Sequence, residues 1–339
     1  MTMTISLKDI AQQLNLSKTA VSWILSGKGR ERRFSQATID RVLQYAKDFN
    51  YQPNLLARSL SLGYTDTIGL IIPALGDTYY SQLAYAIETE AEKQNFILTI
   101  CSSEGDGERE NNLIKALKAK KVDGLVIVPS KKSNSGILEL INEKFPFVLI
   151  DRFYPELKTN YIIVDNEESS RQLVNHLIQR GSRKIALVSA DVHLLVMKMR
   201  HDGYYSALRE AGIPIDPGLL KVVSRKNYAE DIIYKLNELF AEDPDVDSFY
   251  FTTHYLALET LRYFINHNID YRRKFELACF HDTYALDVLA PNMAVSKMPI
   301  EEMSKQAITI LLENIRKTTT GVKGIVVRNK FEPNDPAPG

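Results

Sequence analysis

Residues 7–25 read LKDIAQQLNLSKTAVSWIL, two short amphipathic runs separated by a break at Asn15 and Leu16. In the first run apolar residues recur three and four positions apart, which is the spacing of one helix face. Ser17 is suited to cap a second helix, because its hydroxyl can accept a backbone N–H one turn later. Val21 and Ile24 share one face of that helix. The stretch therefore predicts two helices that pack through their apolar faces.

Two short helices joined by a tight turn are typical of a helix-turn-helix, whose second helix lays its N-terminal outer face in the DNA major groove. A third amphipathic stretch, residues 39–49, follows another capping residue, Ser35, and would close a small core. The same pattern also fits a three-helix packing module without a DNA partner. In the DNA-binding interpretation, the side chains at the groove are Ser17, Lys18, Thr19, Ser22 and Trp23.

The distribution of charge favours DNA binding. Residues 1–62 hold nine Lys or Arg and four Asp or Glu, a net charge of +5, whereas the whole chain of 339 residues is neutral. A basic segment ahead of a mildly acidic body suits a DNA reader tethered to a domain that avoids phosphate. The loop after the second helix would be merely solvated in a non-binding module. Beside a recognition helix we expect phosphate contacts from Lys28, Arg30, Arg32 and Arg33.

A second DNA-reading device follows at residues 52–60, which read QPNLLARSL. A helix of this length is too short to be stable alone in water, so it would form only against a partner helix or DNA. Leu60, at its exposed end, could act as a wedge that unstacks a base step in the minor groove. The alternative is a linker with incidental apolar residues.

The remainder of the chain predicts an α/β body. Runs that are apolar throughout suit strands of parallel sheets covered on both faces, and helical patterns separate them. The chain has room for two doubly wound subdomains besides the small N-terminal module. The predicted strands are Thr67–Pro73, Ile97–Cys101, Val122–Val128, Phe147–Ile150, Ile185–Ser189, Phe249–Thr252 and Glu276–Phe280.

The predicted body is a hinged clamshell that the chain crosses three times, near Asp165, at residues 291–299 and at residues 318–321. Ligands in such sheets bind at the carboxyl ends of the strands. We expect a helix-turn-helix domain at 1–51, a hinge helix or linker at 52–63, and a disordered tail at 333–339. The first effector subdomain would comprise 64–164 and 293–320, and the second 165–292 and 321–332.

Polar and aromatic residues stand at the predicted strand ends. Asp151 and Arg152 follow one strand, and such a pair can accept from and donate to a polar ligand. Tyr79 and Tyr80 follow the first strand, where their rings could stack on a sugar. The alternatives are a surface ion pair for the first two and core packing for the tyrosines.

Four segments carry a resemblance to a known family: residues 8–11 (KDIA), 17–25, 51–54 (YQPN) and 57–60 (ARSL). They resemble the lactose-repressor/galactose-repressor (LacI/GalR) family of bacterial transcription regulators, and the similarity extends from about residue 5 to residue 331. The resemblance implies a homodimer on a pseudo-palindromic double-stranded operator, and a body shaped like periplasmic sugar-binding proteins. It also implies a hinge helix that orders on DNA, with contacts from Asn54, Ala57, Arg58 and Leu60.

The resemblance also implies a small-molecule effector site. By position its residues are Asp77, Tyr79, Tyr80, Ser130, Asp151, Arg152, Arg200, Thr253, His254 and His281, with Arg200 ahead of a helix predicted at 202–211.

The chain departs from the family pattern at both sites. Trp23 stands where many members have Arg, so the operator base opposite it is open, since an indole cannot make the bidentate guanine contact. Thr253-His254 replaces a common Asn-Asp, and Cys279-Phe280-His281 replaces Gly-Phe-Asp. The pocket is therefore less acidic than usual. A sugar, a phosphorylated sugar, a sugar acid or another molecule could be the effector, but a simple neutral hexose fits poorly.

Other function classes find little support. We identify no phosphate-binding glycine motif, no metal-ligand spacing among the six histidines and no paired cysteines, so no enzyme, metal or cofactor is expected. No signal peptide or membrane segment is predicted, which indicates a cytoplasmic protein without a membrane partner. A solute-binding protein and a sugar-modifying enzyme remain the alternatives to a regulator, most simply a repressor. The residues do not distinguish induction from corepression.

Overall fold

The computed structural model describes residues 5–51, 64–130, 134–190, 194–224, 228–318 and 321–333. The chain divides into two compact units, Met1–Thr65 and Asp66–Gly339. The predicted hinge helix, residues 52–63, lies outside the described residues, and so does the tail from residue 334. The predictions for Asn54, Ala57, Arg58 and Leu60 therefore concern a segment that is not described.

The N-terminal unit contains three helices in its described part: α1 (Leu7–Gln13), α2 (Lys18–Leu25) and α3 (Gln36–Asp48). Each begins with a serine whose hydroxyl accepts a backbone N–H, which satisfies one of the unpaired donors at a helix start. The Ser17 hydroxyl accepts from Ala20 at 3.1 Å, and the Ser35 hydroxyl accepts from Thr38 at 3.2 Å. Both predicted caps are confirmed. The inner faces of the helices meet in one buried core of Ile10, Ala11, Val21, Ile24, Ile39, Val42 and Ala46.

The second unit begins with a six-stranded parallel sheet, which with its helices we call the first lobe. Its strands, in spatial order, are β11 (Gly324–Val327), β5 (Tyr161–Val164), β4 (Phe147–Ile150), β3 (Gly124–Ile127), β1 (Thr67–Ile72) and β2 (Ile97–Ser102). Its helices are α4 (Thr78–Glu92), α5 (Gly107–Ala119), α6 (Ser135–Asn142) and α13 (Ile300–Ile315). The central strands are buried on both faces, as continuous apolar runs predict.

A second six-stranded sheet forms the second lobe. Its strands, in spatial order, are β12 (Lys330–Glu332), β10 (Ala294–Lys297), β9 (Glu276–Phe280), β8 (Ser248–Phe251), β6 (Ile185–Ala190) and β7 (Leu220–Val223). Only the pairing of β12 with β10 is antiparallel among the described strands. The helices are α7 (Asn166–Gln179), α8 (Leu195–Glu210), α9 (Tyr228–Glu242), α10 (His254–Asn266), α11 (Tyr271–Lys274) and α12 (Tyr284–Leu289), with a 3-10 turn at Pro217–Leu219.

Two predicted boundaries between the lobes were wrong. The boundary at residue 293 placed β10 in the first lobe, but β10 pairs with β9 in the second sheet. Prolines flank this strand on both sides, and the chain changes lobe only at the second of them, Pro299. Residues 321–332 were placed in the second lobe, yet β11 pairs with β5 in the first sheet. After α13 the chain therefore returns to the first sheet. It crosses to the second lobe for the last time after β11.

A further correction concerns α8. The helix predicted at 202–211 begins at Leu195, so Arg200 lies inside it and not ahead of it. Gly203 lies where α8 crosses α7. A methyl group at Gly203 would overlap the carbonyl oxygen of Glu167 and lie 2.7 Å from Cβ of Ser170. Only glycine permits this approach of the two helices.

Changing Gly203 to Ala is expected to lower the free energy of unfolding by about 1–3 kcal/mol, because overpacking outweighs the better helix propensity of alanine. Urea unfolding of the full chain measures the change. Ser206→Ala, on the same helix and with an exposed hydrogen bond to Glu210, is the matched control and should stay close to wild type. Equal midpoints for the two variants would contradict the tight crossing.

Candidate functional site

Within the N-terminal unit, the outer face of α2 is exposed at the surface. Ala20, Val21 and Ile24 are buried against α1 and α3. Lys18 and Thr19 are exposed on the opposite side, as are Ser17 and Ser22. The structure thus places four of the predicted DNA-facing residues on one open surface.

Trp23 is half-buried on this surface. Its ring centroid lies 6.5 Å from that of Phe34, and the guanidinium carbon of Arg32 lies 4.5 Å from the indole centroid. This is the geometry of a cation–π contact. Part of the indole therefore holds the following loop, a contact that the sequence pattern did not indicate.

The basic loop between α2 and α3 is folded into turns. The Arg32 amide donates to the carbonyl of Lys28 at 3.1 Å, and Gly29 is buried, with Ile39 at 3.0 Å from where a Cβ would be. Arg30 donates to the side-chain oxygen of Gln36 at 3.1 Å. Lys28, Arg30, Arg32 and Arg33 remain exposed at the surface. The loop presents a fixed group of cations beside α2.

In the second unit, one cavity of about 800 Å³ lies at the carboxyl ends of strands from both lobes. Parallel strands leave their carboxyl ends at the same edge of a sheet, so side chains from distant parts of the chain meet there. Ser130 does not line the cavity; its backbone N–H donates to Glu110 at 2.6 Å. The other nine predicted residues do: Asp77, Tyr79, Tyr80, Asp151, Arg152, Arg200, Thr253, His254 and His281.

Asp151 is the centre of the first-lobe wall. It follows β4 in a left-handed conformation, φ 68°, which directs its buried carboxylate toward α4. The hydroxyls of Tyr79 and Tyr80 donate to its two oxygens at 3.1 and 3.3 Å. Arg152 donates to the Tyr80 hydroxyl at 2.7 Å, and its Nε lies 3.5 Å from Asp151. Burial, followed by the charge of Asp151, raises the pKa of Tyr79 well above its usual value, so the Tyr79 hydroxyl keeps its proton.

The second-lobe wall comes from the ends of β8 and β9. Thr253 and His254 begin α10, and His281 follows β9 with φ 90°, a conformation rarely adopted outside glycine. The His281 ring stacks on Tyr79 of the first lobe, with centroids 4.8 Å apart and planes 13° from parallel. His254 Nε2 lies 3.8 Å from an oxygen of Asp77, which caps α4. Two pairs of side chains therefore join the lobes across the cavity.

Both histidines are held in the neutral form. Burial lowers the pKa of His281 well below its usual value, and Arg200 and His254 lower it further. Burial also lowers the pKa of His254, against an opposing effect of Asp77. Neutral imidazoles can each donate one hydrogen bond and accept one.

Arg200 forms the floor between the two walls. Its side chain is 1% exposed; Nε donates to Asn166 at 2.8 Å and Nη1 to the Thr252 carbonyl at 2.6 Å. Its guanidinium carbon lies 3.7 Å from the ring centroid of Phe280. Burial lowers the pKa of Arg200, which nevertheless remains a cation.

Sequence reasoning missed an apolar side of the cavity. Leu194, Val196 and Met197, around the start of α8, line it together with Leu258 of α10. Because β6 ends directly before this segment, the segment could have been predicted to lie at the cavity. The helix was predicted to begin only at residue 202, so these residues were overlooked. Tyr228, Tyr255, Glu104, Glu230 and Glu259 line the cavity as well.

Glu110 was also missed, because a glutamate in an amphipathic helix is normally on the surface. It is fully buried on α5, accepts from the Ser130 amide, and its other oxygen has no partner among the described residues. Burial raises its pKa to about 7, with hydrogen bonds to Ser130 and the charge of Arg152 opposing the rise. Glu110 supports the strand end that precedes the cavity.

Comparison with known families agrees with this architecture. Residues 65–260 match the family described as periplasmic binding proteins and sugar binding domain of the LacI family. Residues 6–54 match the family described as bacterial regulatory proteins, lacI family. The chain belongs to the LacI family. The resemblance inferred from the N-terminal motifs and the predicted fold class are confirmed, and this LacI-family chain is a DNA-binding transcription regulator with a periplasmic-binding-protein-like sensor domain.

Individual relatives span nearly the whole chain. A probable HTH-type transcriptional regulator, EndR of Paenibacillus polymyxa, is 25% identical over 316 residues, covering 92% of this chain and 91% of the relative. The HTH-type transcriptional repressor PurR of Haemophilus influenzae is 25% identical over 320 residues, covering 94% and 93%. Both are regulators and not enzymes, as the sequence predicts.

Two solved structures share the fold over the full chain. The Lac repressor bound to ONPG in its repressed state superposes with a TM-score of 0.81 at 19% identity, covering 97% of this chain and 98% of that one. The complex of the transcriptional regulator CelR with cellobiose gives a TM-score of 0.72 at 21% identity, with the same coverage.

The described residues contain no helix long and apolar enough to cross a membrane. Within the same residues, no group of three or more His, Cys, Asp or Glu side chains could hold a metal ion.

The buried Glu110 predicts a pH dependence of stability. Its folded pKa, about 7, exceeds the usual 4.5, so the folded state binds the proton more tightly than the unfolded state. The stability that this proton contributes is complete below about pH 4.5 and is lost as the pH rises to about 7, a loss of about 3 kcal/mol. Glu110→Gln keeps an acceptor for Ser130 and should remove this loss, making the variant more stable than wild type at about pH 8.

Urea unfolding across this pH range measures the effect. Glu108→Gln, the same change at an exposed position of α5, serves as the control and should follow wild type. Identical pH profiles for Glu110→Gln and wild type would show that Glu110 titrates normally.

Proposed function

We propose that this LacI-family chain is a repressor whose operator affinity is set by a small-molecule effector in the cavity between the two lobes. The effector class is a sugar, a phosphosugar or a sugar acid. The observation that carries the proposal is the convergence of nine predicted side chains on one cavity. These side chains come from α4, β4, α8, β8 and β9, which are far apart in the sequence.

DNA recognition is assigned to the N-terminal unit. Lys18, Thr19 and Trp23 contact base edges in the major groove, and the cations of the loop between α2 and α3 contact phosphates. The exposure of Lys18 and Thr19 on the outer face of α2 supports this assignment. Ala57 and Leu60, in the hinge segment, contact the minor groove. Because the operator lies on the chromosome, the site of action is the cytoplasm.

The active form is a homodimer on a pseudo-palindromic operator. Strand β2 is an edge of the first sheet, and Ile97 and Ile100 on it are 64% and 39% exposed. Tyr85, on the adjacent α4, is 72% exposed. Edge strands with large exposed apolar side chains are normally covered by a partner, and a second copy would cover this one.

Control of DNA affinity requires an effector that binds two states of the lobes with different affinity. The pairs Tyr79–His281 and Asp77–His254 connect the lobes directly. A ligand inserted between them changes the distance between the lobes, and the change is transmitted to the hinge segments of the two protomers.

The proposal is tested by incubating sheared genomic DNA of the source organism with the purified protein at ~150 mM salt and sequencing what is retained; the salt is fixed because phosphate contacts depend steeply on it. Enrichment of a few pseudo-palindromic sites supports a specific regulator, and the neighbouring genes indicate the effector class. Uniform weak retention, with or without cell extract as a source of corepressor, would reject sequence-specific binding.

Lys18→Ala should weaken binding to the enriched sequence about 10-fold or more, because a groove contact of this kind is worth about 1–3 kcal/mol. Fluorescence anisotropy with a labelled duplex measures the change. Lys47→Ala removes the same charge from the exposed last turn of α3 and should change the affinity much less. Equal losses would mean that Lys18 contributes only its charge.

Leu60→Gly should abolish specific operator affinity, because the wedge in the minor groove is lost while the helix-turn-helix is intact. Affinity for a random duplex and the thermal stability of the effector-binding unit should not change. Unaltered operator binding by this variant would refute the wedge.

A further inference from the structure

Arg200 is a buried cation without a carboxylate partner in the described part of the chain. Its hydrogen bonds to described residues go to the neutral oxygens of Asn166 and Thr252, and these bonds use two of its five N–H groups. A buried charge is costly unless it is paired. Among the described residues, the positive charge at the cavity floor is therefore not balanced by a paired carboxylate.

Two carboxylates of the cavity wall, those of Asp151 and Asp77, are engaged by other groups. Asp151 accepts from both tyrosine hydroxyls and lies beside Arg152. Asp77 accepts from the Tyr79 amide as the cap of α4. Neither of them is within ion-pair distance of Arg200, whose guanidinium stacks on Phe280.

Other residues that line the same cavity carry polar atoms without partners among the described residues. The Thr253 hydroxyl, Nδ1 of His254 and both ring nitrogens of His281 are buried and find no hydrogen-bond partner among the described residues. All three residues line the cavity and are more than nine-tenths buried. Besides burial, the charge of Arg200 lowers the pKa of His281, so the positive potential of Arg200 reaches that ring; at His254 the charge of Asp77 has the larger and opposite effect.

A neutral sugar and an acid need different hydrogen-bonding groups in the cavity wall. Sugar hydroxyls donate as well as accept, and a wall built for them supplies carboxylate or amide oxygens. A carboxylate or phosphate group only accepts, and it pairs with a guanidinium in a strong charge-assisted geometry. The wall of Arg200, Thr253, His254 and His281 can supply one donor from each side chain.

From this arrangement we propose that the effector carries a carboxylate or phosphate group, which binds Arg200 and accepts from Thr253, His254 and His281. The proposal rests on the proposed effector function of the cavity and narrows its ligand to an acid. The rest of the ligand lies between the Tyr79 ring and the apolar side formed by Met197 and Leu258.

The test measures thermal unfolding of the full chain in sodium acetate, sodium phosphate or sodium chloride at neutral pH and equal ionic strength, with ~50 mM of each anion. Acetate and phosphate stand for the two acid groups. Whichever group the site accepts should raise the melting temperature of wild type by about 2–4 °C above the chloride value. A response to acetate alone or to phosphate alone assigns the acid group.

Variants separate the site from general salt effects. Arg209→Gln, an exposed arginine on the same helix, should respond as wild type does. Arg200→Gln should show no response beyond chloride. Because Arg200 is fully buried and its loss could impair folding, His281→Asp provides a second variant: it keeps Arg200 but supplies an internal carboxylate, and it should lose the response too. An absent response in wild type, or equal responses in all four proteins, would overturn the proposal.

This experiment contains no DNA, so its result is independent of the regulator assignment. Operator enrichment together with an absent anion response would leave the regulator in place and reject the acidic effector. An Arg200-dependent anion response without operator enrichment would retain the anion site and reject the proposed regulation.

Discussion

The buried carboxylate of Asp151 organises the cavity. A charge in this position is tolerated only when donors surround it, and Tyr79, Tyr80 and Arg152 provide them. The two tyrosine hydroxyls are thereby held toward β4, which fixes the start of α4 against the sheet. The Tyr79 ring then faces the second lobe, where His281 stacks on it. One of the two side-chain contacts between the lobes therefore depends on a carboxylate at the end of one strand.

The sequence pattern predicted the helices that begin at a capping serine and the strands that are apolar throughout. Ser17 and Ser35 cap helices as expected, and strands with long apolar runs were identified. Short strands escaped detection, among them β11, which is only partly buried, and β12, which has three residues. Their pairing is decided by the neighbouring strand, so no periodicity within the segment reveals it.

The cavity was predictable for residues at strand ends, because topology alone brings those ends together. Asp151 and Arg152, which follow β4, are examples, and both line it. Residues whose role depends on being buried were not predictable. In the sequence, Glu110 resembles any surface glutamate of an amphipathic helix, and only the folded structure places it against Ser130. The stacking of His281 on Tyr79 likewise requires a contact between segments some two hundred residues apart.

The packing of Arg32 on Trp23 links two positions that sequence separates by a loop. A substitution at Trp23 removes the platform beneath the guanidinium, and a substitution at Arg32 exposes one face of the indole. The effect of either change therefore depends on which residue occupies the other position. Under selection for a new operator, positions 23 and 32 would be expected to evolve as a pair, since a change at either position alone breaks the cation–π contact between them.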